Sequence, residues 1–532
     1  MNALLLAVDV GTAAARAGVF DADGTLLATG AAELDLMRPQ DGQAAYRKDA
    51  IWSAVCAAIR ECLGRGDALG MRVVGLAFDA TASLVLDHDG APPLAGGADV
   101  FCWMDHRAEA EAQEISLSGD RWLDHMGGAV SPENHLPKLL WLKRQTPAAW
   151  QRVTAVRDLC DEMVRRATGD DRHSLAALAT KWPYDAGDAD PWRHGLLERL
   201  DLGEIWSMGA LSGDPVAVGR RQGGLAADVA AFLGLPPGIA VSAGMIDAQA
   251  GLLGVIGRNV RSRNDVSAAL IGGTSTCFMA LSAEERQIPG VWGPFRDALF
   301  PGLWLYEAGQ SYSGAALDNV LERHPGGPLH ASGTTHEDAA RAVLELLDHE
   351  GPAFAAQRHI VPDWLGNRAP LNDGALRALD SGVGAERYDR AFLETYYATA
   401  RALALQSRQI IGHLNANGFG VNRITLSGGH ARSALMERLY RDAIGADLVV
   451  SRAPEPVLLG TAMAAAAAAG VHANLLNAVD LMSPPQARLT PDPFWRRAHD
   501  AAYGIYLRLF EARNDAALAG ATLAGLARAR RA

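Results

Sequence analysis

A chain of 532 residues is too long for one hydrophobic core, so two large domains are expected. With 49% hydrophobic and 21% charged residues the composition is that of a soluble globular protein, and a formal charge of −12 argues against nucleic acid or an anionic membrane as the main partner. Its five cysteines (56, 62, 102, 160 and 277) make no CxxC pair and no zinc spacing, which reads as reduced thiols in a cytoplasmic protein.

The apolar run from Ala3 to Val8 follows no basic segment and is broken by Asp9, which predicts a strand buried on both faces rather than a signal peptide. Gly11 and Thr12 turn the chain, Ala15–Phe20 is a second strand, and Asp21–Gly24 is a hairpin turn. A hairpin thus holds Asp9 and Thr12 at its mouth. Backbone N–H groups in such a turn can cradle phosphate, and Asp9 suits Mg²⁺ held through water. The same residues also make a plain turn.

Helical spacing covers Asp49–Leu63, and Val73–Ala77 reads as a strand. Phe78-Asp-Ala-Thr81 follows at its carboxyl end, where open α/β sheets bind ligands. Trp103-Met-Asp-His-Arg-Ala108 is expected to open a charged helix, whose side chains either meet a polyol or cap and solvate the helix. Pro137–Lys143 predicts a helix packed mainly on the core, and Asp158–Asp161 an N-capped helix start. Thr180-Lys-Trp182 reads as a loop, its lysine either lying over an aromatic ring or donating to a sugar hydroxyl.

In the middle of the chain, Val241–Gly257 is a short apolar run ending in Gly244, then Asp247, then a helix rich in small residues. A carboxylate there has an ordinary use as a helix cap. Yet it stands between two phosphate-type loops, Asp9–Thr12 before it and Gly272-Gly-Thr274 after it, which makes it a candidate base for phosphoryl transfer. Ser267–Ile271, its turn and Cys277–Leu281 mirror the opening hairpin and predict an internal repeat of structure. Glu307, just before the glycine-rich Gly309–Gly314, either faces a cleft or is a solvated loop carboxylate. Phe392–Leu414 is a long helix, and Arg423–Ser433 reads as strand, glycine pair and helix, where a nucleotide can approach the backbone closely. Leu458–Met463 begins a tightly packed alanine helix within an apolar run too short to span a bilayer, and the tail from Arg496 is helical with a basic end.

In order along the chain stand DVGT, ARAGVFD, WMDHRA, LPKLLWLK, TKW, AGMIDAQAGLLG, GGTST, EAGQSYSGAALD, SGGHARS and LLGTAMAAA. Together they resemble the FGGY carbohydrate kinases, and WMDHRA, TKW and the EAGQS segment look most like the ribulokinase branch. The resemblance implies an α/β fold of two actin-like (ribonuclease H-like) domains with a cleft between them. Residues 1–256 would form the N-terminal domain with the sugar side and first phosphate loop, 257–485 the nucleotide-binding C-terminal domain, and 486–532 a helical extension. It further implies ATP and Mg²⁺ as partners of a small sugar or polyol, with a homodimer left open. Asp247 would be the base, and Asp9 would help hold Mg²⁺. Thr12, Arg16, Gly273 and Thr274 would meet phosphates, and Gly314, Gly429 and His430 would line the nucleotide. Ala80, Trp103, Lys181, Asp247 and Glu307 would line the sugar pocket.

The substrate this implies is a ketopentose, D-ribulose first; L-ribulose, xylulose and ribitol are alternatives, as is an actin-like nucleotide switch or a degenerate binding protein. Two stretches depart from the family pattern. The first loop reads Gly-Thr-Ala-Ala-Ala, so Ala14 lacks a hydroxyl that could donate to phosphate, and Pro132–Lys138 departs around its lysine and is assigned no role.

Overall fold

The computed structural model describes residues 3–65, 69–208, 211, 213–258, 260–263, 266–324, 335–384 and 388–529. Leu4–Val10 is buried along its whole length, as a strand in the middle of a sheet must be. It pairs antiparallel with Ala14–Phe20, and that strand with Leu26–Glu33. On its other side it pairs parallel with Val73–Ala80, beyond which lie Ala240–Ser242 and Arg221–Gly224. The short strand Met245–Ile246 also pairs with Val73–Ala80.

A second sheet repeats this plan. Ser267–Gly272 pairs antiparallel with Thr276–Ser282, and that strand with Trp304–Gln310. On the other side Arg423–Gly428 and then Asp447–Val450 run parallel to it. The mirrored hairpins read from the sequence are therefore equivalent places in two halves of one topology. Trp292–Arg296 and Ala487–Leu489 extend this second sheet at its two edges.

Two helices are exchanged between the halves. Asp247–Ile256 comes after the first sheet but packs on Ser267–Gly272, whereas Pro456–Ala468 comes after most of the second sheet and packs on Leu4–Val10 and Val73–Ala80. They cross at glycines: a Cβ on Gly254 would run into the Pro456 carbonyl, and one on Gly460 into the Ala250 carbonyl. Pro456–Ala468 is apolar all round because it is covered all round, and its alanines permit that close packing. A smaller antiparallel sheet of Ala45–Tyr46, Val100–Phe101, Leu84–His88 and Val153–Asp158 sits beside the first. The tail helix Pro493–Ala529 packs through Trp495, Tyr506 and Phe510; the basic residues Arg530 and Arg531 lie outside the described residues. Among the described residues no helix is long and apolar enough to cross a membrane.

Four local readings need correction. Trp103–Ala108 is a turn, and the helix begins only at Glu109. The cause is Asp105, whose carboxylate accepts from the Ala44 N–H at 2.7 Å and from the Arg107 guanidinium instead of capping. Asp158 stands at a helix N-cap but bonds His135 and Trp182 rather than the helix. Thr180 and Lys181 end a helix, Leu175–Lys181, and Glu307 is inside a strand rather than in a loop.

Candidate active site

Three carboxylates meet at the carboxyl end of the first sheet. Asp9 and Asp79 face each other in register on parallel strands, and Met245, two residues before Asp247, pairs with Asp79. Asp9 is buried; its Oδ2 accepts from Arg16, its partner across the hairpin, and its Oδ1 meets no donor other than the facing Asp79 carboxyl. Asp79 is likewise buried, with Oδ2 accepting from the Thr461 hydroxyl of the exchanged helix and its carboxyl sharing a hydrogen bond with Asp9. Burial, reinforced by the charge of Asp9, pushes Asp79 well above the carboxylate range. Burial also raises Asp9, against the opposing charge of Arg16. Arg16 in turn lies 3.6 Å from Glu455. The sequence placed Asp79 at the ligand-binding end of its strand without giving it a role.

Asp247 is the first residue of its helix and is partly exposed. Its Oδ1 accepts from the Ala248 N–H at 2.7 Å. The cap proper is supplied by Gln249, whose side chain accepts from the Ile246 N–H at 3.0 Å. Burial pushes Asp247 up to about 7; Asp9 and Glu307 add to the shift, and the Ala248 N–H and Lys181 oppose it. That value lies in the range a general base needs near neutral pH.

The two phosphate-type loops are built differently. Thr12 accepts at Oγ1 from Trp103 Nε1 at 2.9 Å, and its carbonyl accepts from the Tyr46 hydroxyl at 2.7 Å. Trp103 thus buttresses the first loop. In the second, Gly273 and Thr274 are exposed, and their carbonyls accept from Gly314 N–H at 2.9 Å and Ser313 N–H at 3.0 Å. A Cβ on Gly314 would strike the Gly273 carbonyl, so glycine is required for that contact. Gly428, at φ +79°, touches the Gly272 carbonyl in the same way and leaves Gly429 exposed beside the loop. His430 is buried under Gly272, hydrogen-bonded through Nδ1 to the Tyr440 hydroxyl at 3.1 Å, and burial pushes it down to about 4. It is therefore a neutral support for the turn rather than a cation.

Among the residues expected to line a sugar pocket, Lys181 Nζ lies 3.9 Å from Glu307 Oε2 and over the Trp292 ring at 5.4 Å. Glu307 is buried mid-strand, directly opposite Trp292. Lys181 is held in place by both of its chain neighbours, Trp182 and Thr180. Trp182 donates to Asp158 at 2.6 Å, with His135 on the other carboxylate oxygen at 2.7 Å. Gln249 donates to the Ala176 carbonyl and the Thr180 hydroxyl, both at 3.3 Å, which ties the Lys181 helix to the Asp247 helix. Ala80 is fully buried in the core, so its side chain does not reach the cleft.

Lys138, left without a role on sequence grounds, is fully buried and donates to the carbonyls of Cys102, Trp103 and Glu133 at 2.9, 2.9 and 2.8 Å. It fixes the turn that carries Trp103. Burial pushes it down to about 8. In the sequence this lysine stood in a stretch that departs from the family pattern, and its three carbonyl partners were not legible there.

Among the described residues no cluster of three or more His, Cys, Asp or Glu is arranged to hold a metal. Mg²⁺ needs less from a protein, because it keeps waters and shares phosphates with one or two carboxylates. Asp9, whose Oδ1 meets only the Asp79 carboxyl, offers an oxygen of that kind.

Models of the FGGY family of carbohydrate kinases match the chain twice, the N-terminal domain over residues 4–254 and the C-terminal domain over 268–469. An FGGY carbohydrate kinase domain-containing protein of Homo sapiens is 34% identical over 531 residues, 95% of each chain. A D-ribulokinase of Saccharomyces cerevisiae is 31% identical over 510 residues, 87% of this chain and 71% of its own. The fold matches a xylulose kinase structure from Brucella ovis with a TM-score of 0.82 at 22% identity, over 96% of this chain and 99% of that one. The two-sheet architecture, the paired loops and these matches agree: the chain belongs to the FGGY family of carbohydrate kinases.

Proposed function

We propose that this kinase transfers the γ-phosphoryl group of ATP to the terminal hydroxyl of a ketopentose, D-ribulose first. The observation that carries the reading is Asp247. It is a carboxylate with a pKa of about 7, placed between two loops of phosphate-binding type and next to the Lys181–Glu307 pair. The similarity to a D-ribulokinase supports the choice of sugar.

In this reading Lys181 and Glu307 hold sugar oxygens, one donating and the other accepting, while Trp103 shapes the wall by the first loop. Asp247 accepts the proton of the attacking hydroxyl as its oxygen bonds to the γ-phosphorus; the bond from that phosphorus to the bridging oxygen breaks, and ADP leaves. Thr12, Arg16, Gly273 and Thr274 face the phosphates, and Gly314 and Gly429 let the nucleotide approach the backbone. Asp9 would hold Mg²⁺ through its Oδ1, and that ion would neutralise phosphate charge. Residues 1–256 thus supply the sugar side and 257–485 the nucleotide side, with 486–532 an addition to the latter. An ATP-consuming enzyme with five free cysteines suits the cytoplasm.

Coupled ADP release, with and without sugar, tests the reading. ADP release that depends on a pentulose or pentitol supports a kinase. Slow release that no sugar changes would instead mark a nucleotide switch.

A further inference from the structure

A second cation shares the Trp292 ring with Lys181. The Arg368 guanidinium carbon lies 4.4 Å from the ring centroid, against 5.4 Å for Lys181 Nζ. Arg368 also lies along the strand that presents Glu307. A Cβ on Gly309 would meet Arg368 Cδ at 3.5 Å, and Gly309 shares a strand face with Glu307 because it is two residues on. The charges of Arg368, Glu307, Lys181 and Asp247 all act on the Cys277 thiol, so the four lie in one neighbourhood.

The loop that carries Arg368 is pinned on every side. Asp363 accepts from Asn367 at 3.1 Å, from Gln406 at 2.6 Å and from Arg513 at 2.7 Å. Asn367 and Asp373 exchange backbone hydrogen bonds of 2.8 Å, and the Asn367 side chain accepts from the Leu371 N–H at 2.9 Å. Asn372 reaches across to the other half of the molecule, donating to the carbonyls of Met126 at 3.0 Å and Ala129 at 3.1 Å. The arginine at the centre is treated differently. Among the described residues no hydrogen bond or ion pair engages its guanidinium, and its buried Nε has no partner. A rigid loop thus presents five N–H donors in a fixed fork that the protein itself leaves unspent.

We propose that Arg368 is a specificity-determining residue that donates to sugar oxygens remote from the hydroxyl addressed by Asp247. A planar fork of donors suits adjacent oxygens of a ketose, and Glu307 across the same face accepts the hydroxyl protons that Arg368 cannot. The inference rests on reading the cleft as a sugar-kinase site. The nucleotide phosphates are the other oxygen-rich ligand at hand. Arg368 stands with Lys181, Trp292 and Glu307, whereas the exposed Gly273–Thr274 turn is clamped to Gly314.

The test compares wild type, Arg368→Met and Arg368→Lys with D-ribulose, glycerol and ATP. Arg368→Met should raise the KM for D-ribulose at least tenfold, keep the KM for ATP within threefold, and shrink the preference for D-ribulose over glycerol at least tenfold. Arg368→Lys, which keeps the charge without the fork, should recover only part. A raised KM for ATP with an unchanged sugar KM would overturn the proposal, as would both KM values within threefold beside a lowered melting temperature. Calorimetry with D-ribulose reads sugar affinity without turnover, and equal affinities in wild type and Arg368→Met overturn the proposal whatever the rate. Should wild type prefer another polyol, the choice of sugar has failed, and the same comparison on that acceptor decides Arg368 separately.

Discussion

Replacing Asp247 by asparagine separates a base from a helix cap in both rate and stability. The carboxyl is raised from an ordinary 3.8 to about 7, roughly three units. At about 1.4 kcal/mol per unit this is a ceiling of ~4 kcal/mol that ionised Asp247 costs the fold, and solvent at this partly exposed group lowers the figure to ~1–3 kcal/mol. The sign comes from proton linkage. A raised folded pKa means stability that is fully present below the unfolded value near 4 and lost as pH rises through 7. Asparagine is neutral throughout and escapes the loss. Asp247→Asn should therefore melt a few degrees higher than the parent at pH 8 and close to it at pH 4. Its kcat should fall by roughly 10²–10⁴, the usual worth of a general base, while sugar affinity stays within a few-fold. Helix capping by Gln249 is untouched by the change. Coupled ADP release, calorimetry and thermal melts at the two pH values measure all three. A kcat within threefold of the parent would refute the base assignment, and a lower melting temperature at pH 8 would refute the electrostatics.

The same carboxylate sets the pH profile: kcat/KM should rise about tenfold per unit up to pH 7 and level off above it, and a profile flat from pH 5 to 8 would contradict a base with that pKa. Lys138→Met strips the carbonyls of Trp103 and Glu133 of their Lys138 donor and leaves that of Cys102 only the Asp105 N–H, and it should cost ~2–5 kcal/mol of stability while raising the sugar KM several-fold. In a Trp103→Phe background its effect on KM should largely vanish, and simple additivity would show that Lys138 does not act through Trp103. Sugar together with a non-hydrolysable ATP analogue should close the cleft and reduce the radius of gyration in small-angle scattering; an unchanged profile at saturation of both ligands counts against closure.

Polar residues at the ends of apolar strands were legible in the sequence, which is why Asp9, Thr12 and Asp247 fell where the structure has them. Asp79 was placed at the end of its strand too, but its role was not legible, because its partner Thr461 lies 382 residues away. Ala80 was expected in the cleft because the strand was read as ending at Ala77, whereas it runs on to Ala80 and buries that side chain. For Glu307 the glycines soon after it left two readings open, a cleft-facing carboxylate or a solvated loop one; pairing with Thr276–Ser282 carries the strand on to Gln310 and removes the loop. Asp105 and Asp158 have the look of caps, but tertiary partners took their oxygens. The exchange of helices between halves, and the unengaged guanidinium of Arg368, depend on contacts between distant segments that no local pattern records.

The central claim is that this cleft phosphorylates a ketopentose at its terminal hydroxyl. Its most direct test is kcat/KM across D-ribulose, L-ribulose, xylulose, ribitol, glycerol and gluconate, with the phosphorylated carbon of each product located by ³¹P NMR. The highest value is expected for D-ribulose, with phosphate on its terminal carbon. Glycerol or gluconate preferred by tenfold or more, about 1.4 kcal/mol of transition-state stabilisation, would contradict it.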